Sequence, residues 1–289
     1  MKSKNLLSFF SLAACVVTVI LWVSCMGRKS DVGEGNAPND TLSLRIACLP
    51  TLDCLPFHYA VRSGLCDSLG LPLYIKTFQA QFDADTALLG RGFDGGVTDA
   101  ARQTMYQRKG KMKSYTAFIP TDGRWTLISN GALRLKAVDK LKGRTIATAR
   151  FSVSDAVVAH LKDSLRFQTD DFLQPQINHY RLRREMLDKG QVDAAVLPEP
   201  FATWALQQGG RSLYSVSSRK YGVALYVKNP ALSHRRKAKQ LELLKQAYNL
   251  SVEALNHHPS AALDSVLLKT YKLPQSVVDT LRLPRYRKL

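Results

Sequence analysis

The sequence predicts an α/β protein of two lobes, each with a mostly parallel sheet and helices on both faces. Short apolar runs alternate with segments of helical periodicity along most of the chain. The order strand, helix, strand, helix, strand, helix, strand, strand occurs twice and is followed by helices alone. Two such blocks indicate two lobes, with crossovers between them at residues 116–125 and 218–223.

The first 24 residues have the composition of an export signal. Lys2 and Lys4 precede a long apolar run, and Ser24 stands immediately before Cys25. This pattern resembles a bacterial lipoprotein signal, which implies that Cys25 is the lipidated, palmitate-bearing first residue of the mature chain. An uncleaved anchor is the alternative, because about 18 apolar residues can span a bilayer. Both interpretations place the body outside the cytoplasm, on the periplasmic side of a bacterial membrane, after a polar tether at residues 25–41.

The chain is strongly basic, with a formal net charge of +18. Lys2 and Lys4 contribute two of these charges and no acid precedes Ser24, so +16 remains after cleavage. Nucleic acid is excluded as a partner, because the chain carries an export signal and no nucleic-acid-binding motif. An anionic membrane face or an anionic small ligand remains open. Scattered basic runs favour a solvated surface.

Three cysteines, Cys48, Cys54 and Cys66, remain in the predicted body. A Cys48–Cys54 bridge is open, because the two residues flank a short loop. A Cys54–Cys66 bridge would have to cross a helix of roughly 15 Å, which exceeds disulfide reach. We favour buried thiols.

The elements of the first block follow from apolar runs and capping residues. Pro50 ends the first strand, and Thr51 or Asp53 can cap the next helix; Thr98 and Asp99 stand before a later helix in the same way. The predicted strands are 42–49, 71–78, 93–97, 113–119 and 125–129, and the predicted helices are 55–62, 83–89 and 100–107.

The second block restarts after Gly143 and has Ser152 or Ser154 as the cap of its first helix. Its predicted strands are 144–148, 175–179, 192–197, 212–217 and 222–227. Its predicted helices are 152–165, 180–189 and 201–208, followed by the C-terminal helices 232–256, 260–271 and 275–281.

The stretch at residues 191–205, QVDAAVLPEPFATWA, illustrates the design. A buried strand stops at a Pro-Glu-Pro turn, and a helix begins where its first turn tolerates Pro200. Glu199 and Phe201 therefore lie at the carboxyl end of a strand, where open α/β sheets bind ligands. We expect this turn to face residues 96–99 across a cleft.

Five stretches, taken in order, resemble the periplasmic substrate-binding components of ABC importers. They are the strand and helix at 46–65 with PFHYA, ALLGRGFDGGVTD at 87–99, LKGRTIA at 141–147, SVSD at 152–155 and GQVDAAVLPEPF at 190–201. The likeness is to the group that binds nitrate, taurine, alkanesulfonates and thiamine-precursor pyrimidines. It implies a type II periplasmic-binding-protein-like fold with a two-strand hinge, and C-terminal helices that return to the first lobe. On this basis we assign residues 42–121 and 222–289 to the first lobe and residues 122–221 to the second.

The helix starts define the candidate ligand site. Backbone N–H groups, helix dipoles and hydroxyls at these positions suit an anion. The four acids at the same turns suit a ligand with an amine or ring N–H, so the charge of the ligand stays open. The candidate residues are Thr51, Asp53, Thr98, Asp99, Arg102, Trp125, Ser152, Ser154, Asp155, Glu199 and Phe201.

These features predict a monomeric solute-binding lipoprotein that delivers a small polar or anionic ligand to an ABC permease and its ATPase. The sequence contains no nucleophile elbow, phosphate-binding loop or zinc-protease motif, and its histidines lack metal-ligand spacing, so no catalysis, cofactor or metal is expected. Two alternatives remain open: an extracytoplasmic enzyme on the same fold, and a sensor that presents the ligand to a receptor.

Overall fold

A computed structural model describes residues 34–35, 42–110, 115–168, 171–257 and 260–289. The predicted export signal, the lipidated Cys25 and most of the predicted tether lie outside the described residues. Within the tether, Glu34 and Gly35 pair with an edge of the first sheet. In the part of the chain described here, no helix has both the length and the apolar composition needed to cross a bilayer.

The described strands form two sheets. In chain order they are β1 (Glu34–Gly35), β2 (Leu44–Cys48), β3 (Leu73–Thr77), β4 (Gly95–Thr98), β5 (Tyr115–Pro120), β6 (Arg124–Ser129), β7 (Arg144–Ala147), β8 (Phe172–Leu173), β9 (Ala194–Pro198), β10 (Arg211–Ser217) and β11 (Ala224–Lys228). The first sheet has the order β1-β3-β2-β4-β11-β5, and the second has the order β10-β6-β9-β7-β8. We call each sheet with its packed helices a lobe.

The helices connect and cover these strands. They are α1 (Leu55–Arg62), α2 (Leu65–Ser68), α3 (Gln81–Leu89), α4 (Ala100–Arg108), α5 (Val153–Leu165), α6 (Tyr180–Asp188), α7 (Phe201–Gln207), α8 (Asn229–Ser233), α9 (Arg235–His257), α10 (Ala261–Asp264) and α11 (Gln275–Thr280). A short π-helix, Ser265–Thr270, lies between α10 and α11. The two-lobed α/β class predicted from the sequence is confirmed.

The sheets are mixed in strand direction. Strand β2 is parallel to β3 and β4, and β7 is parallel to β8 and β9. The strands that lead between the sheets pair antiparallel: β11 with β4 and β5, and β6 with β9 and β10. Strand-helix alternation gave the parallel centre of each sheet, but it could not reveal these antiparallel partners.

One predicted strand was wrong. Residues 175–179 form only isolated bridges, Gln176 with Thr148 and His179 with Ala80, and the strand β8 lies earlier in the chain. Pro175 has no N–H to donate, so a continuous ladder cannot run through it.

The C-terminal segment packs on both lobes. Helix α9 lies against α1 and β2 of the first lobe, as the resemblance implied. Helix α11 instead meets α7 of the second lobe, where Gln207 Nε2 donates to Ser276 O at 2.7 Å. The long predicted helix at 232–256 is interrupted at His234, which separates α8 from α9.

The cysteines agree with the prediction of buried thiols. Cys48, Cys54 and Cys66 are each 3% exposed or less, and no disulfide joins them. The Leu49 N–H donates to Cys54 Sγ at 3.2 Å, so this sulfur helps to close the loop after β2.

Candidate functional site

Asp53 ties together the two places where the chain crosses between the sheets. Its Oδ1 accepts from Thr121 Oγ1 at 2.7 Å, from the Gly123 N–H at 2.9 Å and from Ser218 Oγ at 2.6 Å. A Cβ at Gly123 would lie 2.2 Å from Asp53 Oδ2, so only glycine fits there. The Asp53 carboxylate, predicted as a ligand contact, is therefore engaged within the protein by both crossovers.

The turn before α7 lies against the loop after β2. The Leu52 N–H donates to Glu199 O at 3.0 Å, and Glu199 Oε2 accepts from the Thr203 N–H at 3.0 Å. Burial raises the pKa of the Glu199 carboxyl. The sequence placed this turn opposite residues 96–99; the contact seen here is with the loop after β2, and the predicted position across the cleft stays a prediction. In the same loop, the Thr51 carbonyl accepts from Tyr271 Oη at 2.8 Å.

Asp99 joins the first turns of two helices from different lobes. Its side chain caps α4 by accepting from the Arg102 N–H at 3.0 Å, and it also accepts a hydrogen bond from the backbone N–H of Val153 at the start of α5. Asp99 is 3% exposed. Burial raises its pKa from 3.8 to about 7, although the neighbouring Arg102 charge opposes the shift.

The loop before α5 is held by its own polar side chains. Ser152 Oγ donates to Ala149 O at 2.7 Å, and Ser154 Oγ accepts from the Ala149 N–H at 2.9 Å. Asp155 Oδ2 accepts from the Phe151 N–H at 3.0 Å. These predicted ligand residues therefore fix the shape of the loop.

A buried ion pair lies beside Asp99. Arg102 Nη1 contacts Asp85 Oδ2 at 2.6 Å, with both side chains 3% exposed or less. Gln81 Nε2 and Thr98 Oγ1 donate to Asp85 Oδ1 at 3.0 and 3.2 Å. The sequence singled out Thr98 and Arg102 but missed Gln81 and Asp85, which lie one turn apart on α3 and face the same strand.

Direct contacts connect this cluster to the second lobe. Tyr180 Oη donates to Gln81 Oε1 at 3.2 Å, and Arg102 Nη2 donates to Asn178 Oδ1 at 3.4 Å. Asn178 lies just before α6, and Tyr180 is the first residue of this helix. Both side chains therefore reach the first lobe from the start of a single helix. Neither residue was predicted from the sequence.

Three aromatic rings continue the interface inside the second lobe. Tyr180 lies 5.8 Å from the Trp125 ring in an edge contact and 5.9 Å from the Phe201 ring. Trp125 is 5% exposed, and its indole N–H has no hydrogen-bond partner among the described residues. The structure thus brings together the predicted aromatic residues Trp125 and Phe201 through Tyr180.

A pocket of about 360 Å³ opens between the lobes at the outer side of the Arg102–Asp85 pair. Helices α3 and α4 form one wall, and the segments after β7 and before α6 form the other. The Lys109 ammonium lies 5.8 Å from the centre of the Phe151 ring across the gap. Three cations line the pocket, and none of its lining residues is acidic; the lining residues are Phe82, Arg102, Met105, Tyr106, Lys109, Arg150, Phe151, Gln176 and Asn178. We call this the interlobe pocket.

The arrangement favours a negatively charged ligand. Asp53, Asp99, Asp155 and Glu199, which left an amine-bearing ligand open, all accept hydrogen bonds from the protein itself. The pocket cations come from both lobes, so an anion between them would attract each lobe toward the other. Of the predicted residues, only Arg102 lines the pocket.

Solved structures share this fold. The alkanesulfonate-binding protein SsuA from Xanthomonas axonopodis pv. citri, bound to MOPS, aligns with a TM-score of 0.67 at 17% identity, over 86% of this chain and 87% of that chain. The periplasmic nitrate-binding protein NrtA from Synechocystis PCC 6803 aligns with a TM-score of 0.67 at 14% identity, over 82% of this chain and 69% of that chain.

A third neighbour is the ligand-binding component of an ABC-type import system from Staphylococcus aureus, with zinc bound. It aligns with a TM-score of 0.60 at 15% identity, over 82% of this chain and 88% of that chain. No family model matches the sequence, and no match was found among curated proteins. The chain therefore has the two-lobed fold of the periplasmic substrate-binding proteins, with a cationic pocket between its lobes.

The pKa of Asp99 leads to a prediction about stability and pH. Because the folded carboxyl holds its proton up to about pH 7 and the unfolded one only to about pH 4, the folded state binds more protons between these values. Stability contributed by this group therefore falls as the pH rises. Between pH 5 and pH 8 we expect the free energy of unfolding of wild type to fall by about 2.5 kcal/mol relative to that of Asp99→Asn, as measured by urea unfolding. A difference that is constant across this range would contradict the assignment.

Proposed function

We propose that this protein is the solute-binding component of an ABC importer, exported and lipid-anchored at Cys25 on the periplasmic side of the membrane. It captures a small anionic ligand in the interlobe pocket and delivers it to a permease and its ATPase, as a monomer and without chemical turnover. The observation that carries the proposal is the interlobe pocket itself, with cations from both lobes and no acidic lining residue. The fold shared with nitrate- and alkanesulfonate-binding proteins supports the class of function.

The pocket chemistry supports a ligand with a planar or tetrahedral oxyanion and a small apolar part. The exposed Arg150 guanidinium can hold such an oxyanion through paired hydrogen bonds, and the Lys109 ammonium adds a second charge, whereas Arg102 is engaged by Asp85 and Asn178. The Phe82, Phe151 and Met105 side chains supply apolar surface at the same mouth. Its volume lies at the small end of the range for small-molecule sites.

A thermal-shift screen tests the proposal directly. The panel contains nitrate, taurine, an alkanesulfonate, MOPS, an amino-pyrimidine and amino acids, each analysed afterwards for chemical change. A true ligand at 100 times its Kd should add about 2.7 kcal/mol to the free energy of unfolding. Stabilisation by an amino-pyrimidine in place of every anion would overturn the ligand class, and conversion of any compound to product would overturn the transport function.

Two exposed pocket cations allow a matched mutational test. We expect Lys109→Gln and Arg150→Gln each to raise the Kd of the best anion about tenfold, because a hydrogen bond to a charged group is lost. Arg108→Gln removes the same charge one residue away, and its side chain does not line the pocket. Equal weakening by Arg108→Gln and Lys109→Gln in calorimetric titrations would show that only general surface charge matters.

A further inference from the structure

A second concave site lies at the crossovers, away from the interlobe pocket. It has a volume of about 310 Å³ and is lined by Asp122, Gly123, Arg124, Ser215, Val216, Ser217, Pro284, Arg285 and Arg287. These residues come from the first crossover, the end of β10 and the C-terminal tail. We call it the hinge pocket.

The tail presents two arginines to this pocket. Tyr286 points inward, where it is 3% exposed and its hydroxyl donates to Leu52 O at 2.9 Å. Arg285 and Arg287, on either side of it, are exposed and line the hinge pocket.

The tail is also fixed at this position by backbone hydrogen bonds. The Tyr286 N–H donates to Asn256 Oδ1 at 3.0 Å, and the Arg287 N–H donates to Asp122 Oδ2 at 3.0 Å. Arg285 and Arg287 are thus presented from an anchored segment, which lowers the entropy lost when their side chains bind a ligand.

The opposite wall comes from a strand pair with defined register. Arg124 of β6 lies directly across from Ser217 of β10 in the antiparallel ladder. Trp125, the next residue, faces the other way and packs against Tyr180. Arg124 and Ser217 therefore share the face that lines the hinge pocket.

Three guanidinium groups converge on this pocket with one carboxylate among its lining residues. Both oxygens of Asp122 are already engaged: Arg219 Nε and Nη2 donate to them at 2.8 and 2.9 Å, and Arg287 Nε lies 3.6 Å away. Among the described residues, neither Arg124 nor Arg285 forms an ion pair; burial raises the pKa of the nearby Glu199 carboxyl, and the Arg124 charge opposes this shift. Arg124, Arg285 and Arg287 thus share one lining carboxylate, which Arg219 already holds through two hydrogen bonds, so the excess positive charge favours an anion here.

We propose that the hinge pocket binds a multiply charged phosphate-type oxyanion through Arg124, Arg285 and Arg287. Planar guanidinium groups bind phosphate oxygens in pairs, and Ser217 Oγ can donate to a further oxygen. The group is either a soluble phosphate compound or the phosphate of a lipid headgroup. The pocket touches the first crossover, the end of β10 that leads into the second, and the tail, so its occupant would restrain segments that connect the lobes.

Inorganic pyrophosphate serves as the probe, titrated calorimetrically into the full-length protein at constant ionic strength. We expect Arg124→Gln and Arg285→Gln each to raise the Kd at least tenfold. Arg282→Gln is the matched control, because this exposed arginine lies on the same tail and does not line the pocket. Unchanged circular dichroism and Tm without pyrophosphate establish that the exposed substitutions leave the fold intact.

A crossed comparison separates this site from the interlobe pocket. The Lys109→Gln/Arg150→Gln variant should keep its pyrophosphate affinity, whereas the Arg124→Gln/Arg285→Gln variant should lose it and still bind the ligand of the interlobe pocket. The proposal is overturned if Lys109→Gln/Arg150→Gln loses pyrophosphate affinity and Arg124→Gln/Arg285→Gln keeps it. It is also overturned if Arg282→Gln weakens pyrophosphate binding as much as Arg285→Gln does, or if wild type does not bind pyrophosphate.

Vesicles distinguish the two sources of phosphate. Competition between pyrophosphate and phosphatidylglycerol vesicles, with no competition from phosphatidylcholine vesicles, would support a lipid headgroup. Pyrophosphate binding that anionic vesicles do not disturb would support a soluble phosphate compound. Both results require Arg124 and Arg285, which keeps the site itself under test.

Discussion

Replacing Asp53 by alanine is expected to lower the free energy of unfolding by about 3 kcal/mol, because buried donors would lose a charged acceptor. The side chain is 3% exposed and accepts from Thr121, Gly123 and Ser218. Some compensation is available, since Thr121 Oγ1 also lies 3.3 Å from Val223 O and the Gly123 N–H also donates to Ser218 Oγ at 2.7 Å. These second partners keep the expected loss below that of three isolated bonds.

Chemical denaturation of wild type and Asp53→Ala measures this loss. Asp155→Ala is the matched control, because Asp155 is only partly buried and accepts one bond, from the Phe151 N–H within its own loop. We expect this control to cost about 1 kcal/mol. Equal losses in the two variants would mean that Asp53 does not hold the crossovers together.

The Asp53 substitution also tests the connection between the lobes. Thr121 and Gly123 belong to one crossover and Ser218 to the other, so the carboxylate holds two chain segments 95 or more residues apart. Loss of this carboxylate should broaden the distribution of distances between spin labels placed on α3 and α6, as measured by double electron–electron resonance. Asp155→Ala should leave that distribution unchanged.

The architecture followed from local patterns, and its errors have local causes. Helix α1 was predicted with the observed bounds Leu55–Arg62, and Gly64 follows it as expected. The predicted caps Thr51 and Asp53 were wrong, because the N-cap residue is Cys54, which makes no side-chain cap bond, and Asp53 bonds to the crossovers. The predicted strand at 175–179 was wrong, because Pro175 cannot donate to a ladder and the residues after it form only isolated bridges. The antiparallel entry of β11 between β4 and β5 depends on contacts between distant segments, which local patterns do not show.

The contacts of the candidate site residues depend on partners that the local sequence does not show. Helix starts after strands do meet between the lobes, as Asp99 and Val153 illustrate. Whether an acid at such a start faces a ligand or the protein depends on partners far away in sequence: Asp53 bonds to Ser218, 165 residues later. Asp85 had no visible signal, because an acid on an amphipathic helix is usually solvated.

Arg102→Met should be the most destabilising of the substitutions considered, with an expected loss of about 4 kcal/mol at pH 8. The variant keeps the apolar stem but leaves the Asp85 carboxylate buried without its cation. Gln81 and Thr98 would still donate to one of its oxygens, which is insufficient compensation for a buried charge. Urea unfolding at pH 8 measures the effect, and Arg108→Met, an exposed change on the same helix, should stay within about 0.5 kcal/mol of wild type.

The double variant Asp85→Asn/Arg102→Met identifies the cause of this loss. Removing the carboxylate together with the arginine leaves no uncompensated charge, so the double variant should recover a large part of the 4 kcal/mol, about 2 kcal/mol or more. The loss in Arg102→Met alone should also shrink as the pH falls, because burial raises the pKa of Asp85 and its protonation removes the buried charge. If the two substitutions were simply additive and independent of pH, Arg102 would stabilise the fold through packing of its stem, and the buried ion pair beside the interlobe pocket would contribute little.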